Sequence, residues 1–144
     1  MSEPAAQPAV GPQRQNVSSG ASWEAVVGYS RAVRVGDHVW VAGTTASTPD
    51  GPPVGGDDAY AQTREALRRV VAALAEVGAS SVDVVRTRMY VTDIACWSDV
   101  GRAHGEVFAD VRPVSTMVEV QALIDRRLLV EVEAEAVLGV RSRP

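Results

Sequence analysis

From Leu128 to Val137 apolar and acidic residues alternate: Val130, Val132, Ala134 and Ala136 fall on one side, Leu129, Glu131, Glu133 and Glu135 on the other. Successive side chains of a strand point to opposite faces, so this period of two predicts a strand lying between a core and a second, charged surface. A helix would scatter the same acids around its axis. Two upstream segments are read the same way. Residues 82–92 divide into Val85, Thr87, Met89, Val91 and Arg86, Arg88, Tyr90, Thr92. Residues 115–120 divide into Thr116, Val118, Val120 and Ser115, Met117, Glu119. The apolar sets are expected to face helices. The other face then carries Arg86, Arg88, Glu119, Glu131, Glu133 and Glu135, with Tyr90, Met117 and Leu129 among them. A face left to water would give the same pattern, but these apolar residues are mixed into it and arginine suits buried interface pairs, so a subunit interface crossed by Arg–Glu pairs is expected.

The rest of the chain supplies the covering layer. Val26–Val35 and His38–Gly43 are rich in β-formers and are separated by Gly36-Asp37, a hairpin signal. Residues 44–56, with Pro49-Asp50-Gly51-Pro52-Pro53, predict a long loop. Asp57 or Asp58 then caps a helix whose Leu67, Val70, Val71, Leu74 and Val77 recur at helical spacing, closed by Gly78. Ser98 or Asp99 opens a second helix with Val100, Val107 and Phe108 on one face. Gly101 and Gly105, one turn apart on it, predict close helix packing. The expected order is β-β-α-β-α-β-β, an α+β domain over residues 21–144. Residues 1–20 are rich in Pro, Ala, Gln, Ser and Gly and are expected to form a mobile tail.

Composition narrows the chemistry. All 14 basic residues are arginines, so a lysine Schiff base and a pyridoxal-phosphate anchor are excluded. Two histidines, His38 and His104, and one cysteine, Cys96, are a poor supply for a zinc site, and no cofactor is expected. A net charge of −4 offers no basic footprint for nucleic acid. No apolar run approaches the roughly 18–20 residues of a membrane span. With a single cysteine and no charged-then-apolar leader, the expected compartment is the cytoplasm.

Seven blocks then carry a resemblance. Gly28-Tyr29-Ser30-Arg31-Ala32-Val33 resembles the GPYSQAV opening of RidA/YjgF proteins, and Val39-Trp40-Val41-Ala42-Gly43-Thr44 resembles their hydrophobic-SGQ strand. Gln62–Leu67, Gly78–Ser80 with Asp83–Thr87, Tyr90–Asp93, Val118–Val120 and Val130–Ala134 are similar to the blocks that follow, in order and at matching spacing. The resemblance implies a chorismate-mutase-like fold with a mixed sheet and two helices on one face. It also implies a homotrimer packed through the other face, with small-molecule clefts between subunits. Active members hydrolyse enamines and imines such as 2-aminoacrylate to 2-keto acids and ammonia without a cofactor.

One departure concerns the site. The family's arginine, three residues before the VEV strand, is replaced by Ser115 in Pro113-Val114-Ser115-Thr116-Met117-Val118-Glu119-Val120. In active members that arginine grips the substrate carboxylate. A charge-assisted contact is worth roughly 1.5–3 kcal/mol, so its loss is expected to cripple binding of a small 2-imino acid. Met117 replaces the family's cysteine, Gly101 an asparagine, and Ala42 the serine of SGQ. The resemblance leaves Glu131 to position the attacking water, and Tyr29, Thr44, Thr45, Arg88, Ser115, Thr116 and Met117 to line the cleft. Arg88 and Arg112 are the arginines considered as substitutes, Arg88 being read first as a glutamate partner. His104, Cys96, Trp40 and Trp97 are read as packing residues. Two functions follow: a deaminase-like hydrolase with an altered carboxylate grip, or a non-catalytic trimer holding a metabolite or pathway partner in its clefts. Ribonuclease activity, claimed for some relatives, gains little from an acidic chain without a histidine pair.

Overall fold

The computed structural model describes residues 11–139. Six strands form one sheet: β1 Arg14–Val17, β2 Ala32–Val35, β3 His38–Thr44, β4 Val84–Val91, β5 Val114–Glu119 and β6 Val130–Val137. Their spatial order is β1-β2-β3-β6-β4-β5, with β4 and β5 parallel and the other neighbours antiparallel. Three helices accompany it: α1 Ser22–Val27, α2 Ala59–Glu76 and α3 Trp97–Phe108. No helix among the described residues is long and apolar enough to cross a membrane.

Helix α2 begins where Asp58 accepts a hydrogen bond from the Ala61 amide at 3.1 Å. It ends at Gly78, whose φ of 81° lets Ala79 N–H turn back to Leu74 O. Ala66, Leu67, Val70 and Leu74 are fully buried against the sheet, whereas Val71 is only half-buried. The alternation of β6 holds: Val130, Val132, Ala134 and Ala136 are buried, and the three glutamates between them are half-exposed on the open face.

Other expectations fail for identifiable reasons. The stretch read as a mobile tail contributes β1, whose Val17 is buried and whose backbone pairs with β2; residues 1–10 lie outside the described part. A four-residue polar strand has too little pattern to announce itself, and a neighbour's open edge supplies its hydrogen bonds. Residues 22–27, partly read as strand, form α1. Gly28 ends it at φ 84°, and Ser19 reaches Glu24 through both its amide and its hydroxyl. Helix α3 starts at Trp97, preceded by a short 3₁₀ turn that Asp93 caps by accepting from Ala95 N–H. Added Cβ atoms at Gly101 and Gly105 would meet nothing within 4 Å, so these glycines serve no close approach among the described residues.

Two corrections concern the faces. A register shift at Val84/Arg86 makes Val85 a bulge residue, so Val84 is buried and Val85 exposed. In β5 the faces are exchanged. Ser115, Met117 and Glu119 pair with Thr87, Met89 and Val91 on the helix-facing side, leaving Thr116 and Val118 on the open side. Apolarity could not reveal this, because β5 is an edge strand: Val114 and Val118, both on the open side, are 62% and 42% exposed.

Candidate active site

The site begins with an irregularity in β3. A register shift between Val41 and Thr44 breaks its pairing with β6 and leaves Gly43 against the Glu131 side chain. A Cβ at position 43 would lie 2.9 Å from Glu131 Cδ and closer still to Oε1, so only glycine leaves room for the carboxylate. Burial pushes the Glu131 carboxyl above its ordinary range, the charge of Glu133 adds to this, and the Arg31 guanidinium opposes it. The result is a half-buried carboxylate with a proton affinity shifted toward neutral pH, suited to taking a proton from water.

Around it, Arg31 donates from Nη1 to Gly43 O at 2.6 Å, to Thr44 Oγ1 at 2.8 Å and to Ala42 O at 3.4 Å. Buried Thr44 donates in turn to Ala42 O at 2.7 Å. The Arg31 guanidinium carbon stands 5.9 Å from the centre of the Tyr29 ring. Tyr29 follows the left-handed Gly28, which turns the chain out of α1 toward β2. Thr45 is held differently. Its carbonyl accepts from Arg69 Nη1 on α2 at 2.8 Å, and its hydroxyl accepts from Ser47 N–H at 3.3 Å, so that hydroxyl serves its own loop.

One chain therefore brings together Tyr29, Thr44 and Glu131, with Arg31 between them. The other expected residues lie elsewhere. Ser115 is exposed on the helix-facing side of β5, where its Oγ accepts from Thr87 Oγ1 at 2.9 Å. Thr87 is also 2.8 Å from His104 Nε2, forming a hydroxyl–hydroxyl–imidazole chain. Burial lowers the His104 pKa, and its ring packs 4.7 Å from that of Phe108, as a core histidine does. Met117 packs against the core beside Met89. Thr116 stands on the open face opposite Arg88, whose Nη1 lies 3.2 Å from Glu135 Oε1 and 3.7 Å from Glu133 Oε2. Arg88, read first as a glutamate partner, thus pairs with two glutamates of its own chain. Arg112 is exposed in the turn after α3 at φ 55°, with its amide bonded to Phe108 O. Trp40 and Trp97 are 45% and 62% exposed, which corrects their reading as packing residues. Trp40 lies beside His38 at the open face, with ring centres 5.9 Å apart.

Arg31 and Gly43 are the site residues that sequence reasoning passed over. Both stood inside motif blocks, but only the β3 irregularity shows that they meet Glu131.

Residues 19–138 match the family model described as Endoribonuclease L-PSP. The chain belongs to the RidA/YjgF family. A RidA/YjgF crystal structure, Rv2704 from Mycobacterium tuberculosis, described as a member of the YjgF/YER057c/UK114 family, superposes with a TM-score of 0.80 and 56% identity. It covers 88% of this chain and 100% of its own. The Streptomyces coelicolor protein SCO2049 is 46% identical over 125 residues, 87% of this chain and 92% of that one. The RutC family protein PYRAB12510 from Pyrococcus abyssi is 32% identical over 108 residues, 75% of this chain and 84% of that one. The mixed six-stranded sheet is that of the RidA/YjgF fold.

Proposed function

We propose that this RidA/YjgF protein is a cofactor-independent hydrolase that deaminates a small reactive enamine or imine in the cytoplasm, working as a homotrimer with its clefts between subunits. The observation that carries this reading is Glu131: a half-buried carboxylate with a raised pKa, seated against Gly43 beside Tyr29 and Arg31. The enamine first tautomerises to the imine. Water then adds to the imine carbon while Glu131 takes one of its protons. The carbinolamine C–N bond breaks as the nitrogen is protonated, releasing ammonia and a keto product. Each step needs proton transfer and water placement only, which a tuned carboxylate supplies.

The two sheet faces support an assembly of more than one copy, which the family resemblance makes a trimer. Ser115, Met117 and the Glu131 cluster occupy different faces of one sheet, so a cleft containing both halves needs a second copy. The alternative, a non-catalytic trimer that holds a metabolite, is favoured by one observation: at the position of the family's arginine stands Ser115, bonded into the Thr87–His104 chain.

The test is to generate 2-aminoacrylate and related imines in situ and follow keto-acid release with and without the protein. Acceleration that the Glu131→Gln variant loses is the expected result. No acceleration for any imine leaves the binding reading; full activity in the variant removes the assigned role of Glu131.

A further inference from the structure

The open face of the sheet holds several arginines, and they differ in what occupies them. Arg88 is committed to Glu133 and Glu135. Arg14 spends its Nε on Asn16 Oδ1. Arg31 is anchored through one nitrogen only: all three of its hydrogen bonds leave from Nη1. Those bonds fix the guanidinium against the end of β3. Its Nε and Nη2 have no hydrogen-bond or ion-pair partner among the described residues.

These two nitrogens form the side of a guanidinium that takes a carboxylate in parallel. The chain uses that side twice elsewhere. Arg68 donates to Glu65 through Nε at 2.8 Å and Nη2 at 2.6 Å, and Arg127 donates to Asp125 through Nε at 3.1 Å and Nη2 at 2.8 Å. In Arg31 the equivalent fork is free. Arg31 is only partly buried, so the fork is not sealed into the core. The nearby carboxylate does not claim it: Glu131 feels the Arg31 charge but forms no ion pair with it among the described residues. A held cation with an open fork beside a proton-accepting carboxylate is the arrangement that positions a small organic anion for attack.

We infer that Arg31 is the anion grip of this site, and that it takes the carboxylate of a small 2-imino acid or of its 2-keto product through Nε and Nη2. The choice of imino and keto acids rests on the function proposed above; the open fork does not. Tyr29 stands near the guanidinium, and Glu131 lies where an imine carbon next to a gripped carboxylate meets its water. The cation that Ser115 no longer supplies on one sheet face is thereby supplied from the other. The grip is a carboxylate-specific one: an amide of the same shape offers no charge to the fork.

The probes are pyruvate and pyruvamide, titrated calorimetrically into the full chain, the Arg31→Gln and Arg31→Lys variants and, as a control on the same face, Arg14→Gln. The unmodified protein is expected to bind pyruvate about 10–100-fold more tightly than pyruvamide, the range of one charge-assisted contact. Arg31→Gln loses that preference while pyruvamide binding stays, which shows that the site still folds. Arg31→Lys keeps part of it, since a point charge replaces a fork. Arg14→Gln keeps all of it. A second measurement needs no variant. Bound pyruvate neutralises Arg31, so the Glu131 titration followed by carboxyl NMR moves to higher pH, against the groups that act on it, Glu133 and Arg31; pyruvamide leaves it in place.

Equal binding of the two probes by the unmodified protein overturns the grip, as does a pyruvate preference that survives Arg31→Gln or disappears in Arg14→Gln. If Arg31→Gln does not fold, the probe ratio and the Glu131 titration of the unmodified protein decide. A pyruvate preference without imine hydrolysis removes the proposed catalysis and keeps the grip. Hydrolysis with an unchanged KM in Arg31→Gln does the reverse.

Discussion

Replacing Gly43 by alanine tests the position of Glu131 without touching any ionisable group. The added Cβ would fall 2.9 Å from Glu131 Cδ and 3.2 Å from Cγ, and nearer to Oε1, all atoms of one flexible side chain. Gly43 is not among the positive-φ glycines, so the backbone accepts alanine without strain. The carboxylate must therefore move, by about 1 Å if ordinary van der Waals separation is to be restored. An off-rotamer side chain costs about 0.5–1.5 kcal/mol, so the fold is expected to lose no more than that in a urea titration. The functional cost is larger: a misplacement of about 1 Å at a reacting group can reduce the rate about 100-fold. The assay pairs kcat/KM for keto-acid release with carboxyl NMR of Glu131, which reports displacement even where turnover is slow. Activity retained within about threefold, with the Glu131 titration unmoved, would refute the claim that its seat against Gly43 matters.

Other consequences are as direct. Glu131 has a folded pKa above its unfolded one, so its contribution to stability is full at low pH and is lost as pH rises through the folded value. Glu131→Gln is accordingly expected to melt higher than the parent above that pH and to show no such gain well below it; thermal unfolding at pH 4 and pH 8 checks the sign. Gln62, fully buried, donates to Gly56 O at 2.6 Å and Arg127 O at 2.9 Å and accepts from Leu129 N–H at 2.9 Å. Gln62→Leu strips partners from three backbone groups and is expected to cost about 2–4 kcal/mol in urea unfolding, whereas a cost below about 0.5 kcal/mol would mean water replaces them all.

The legible parts of this fold are those where burial is one-sided. Strand β6 and helix α2 each press one face on a core, so their periods of two and near four survive in the residues. Strand β5 is an edge strand exposed along most of its length, with only Met117 packed against the core, so its pattern puts Ser115 and Thr116 on the wrong faces. Strand β1 is too short and polar to show a pattern, and the bulge at Val85 shifts the phase of β4 at its start. The site divides the same way. Glu131 and Tyr29 stand in recognisable blocks. Arg31 does so too, but its importance depends on an irregular turn of β3 that no local pattern encodes.

The sheet also decides who owns the chemistry. Glu131 points from β6 to one side, and Ser115 from β5 to the other, with β4 between them. In the homotrimer proposed above, each chain carries two half-sites set back to back, like the two sides of a key. In a closed ring of three, every complete cleft is shared property, assembled from one half of each neighbour. A substitution on one side alters what its own chain offers to one neighbour and leaves untouched what it offers to the other. The two halves can therefore be altered separately.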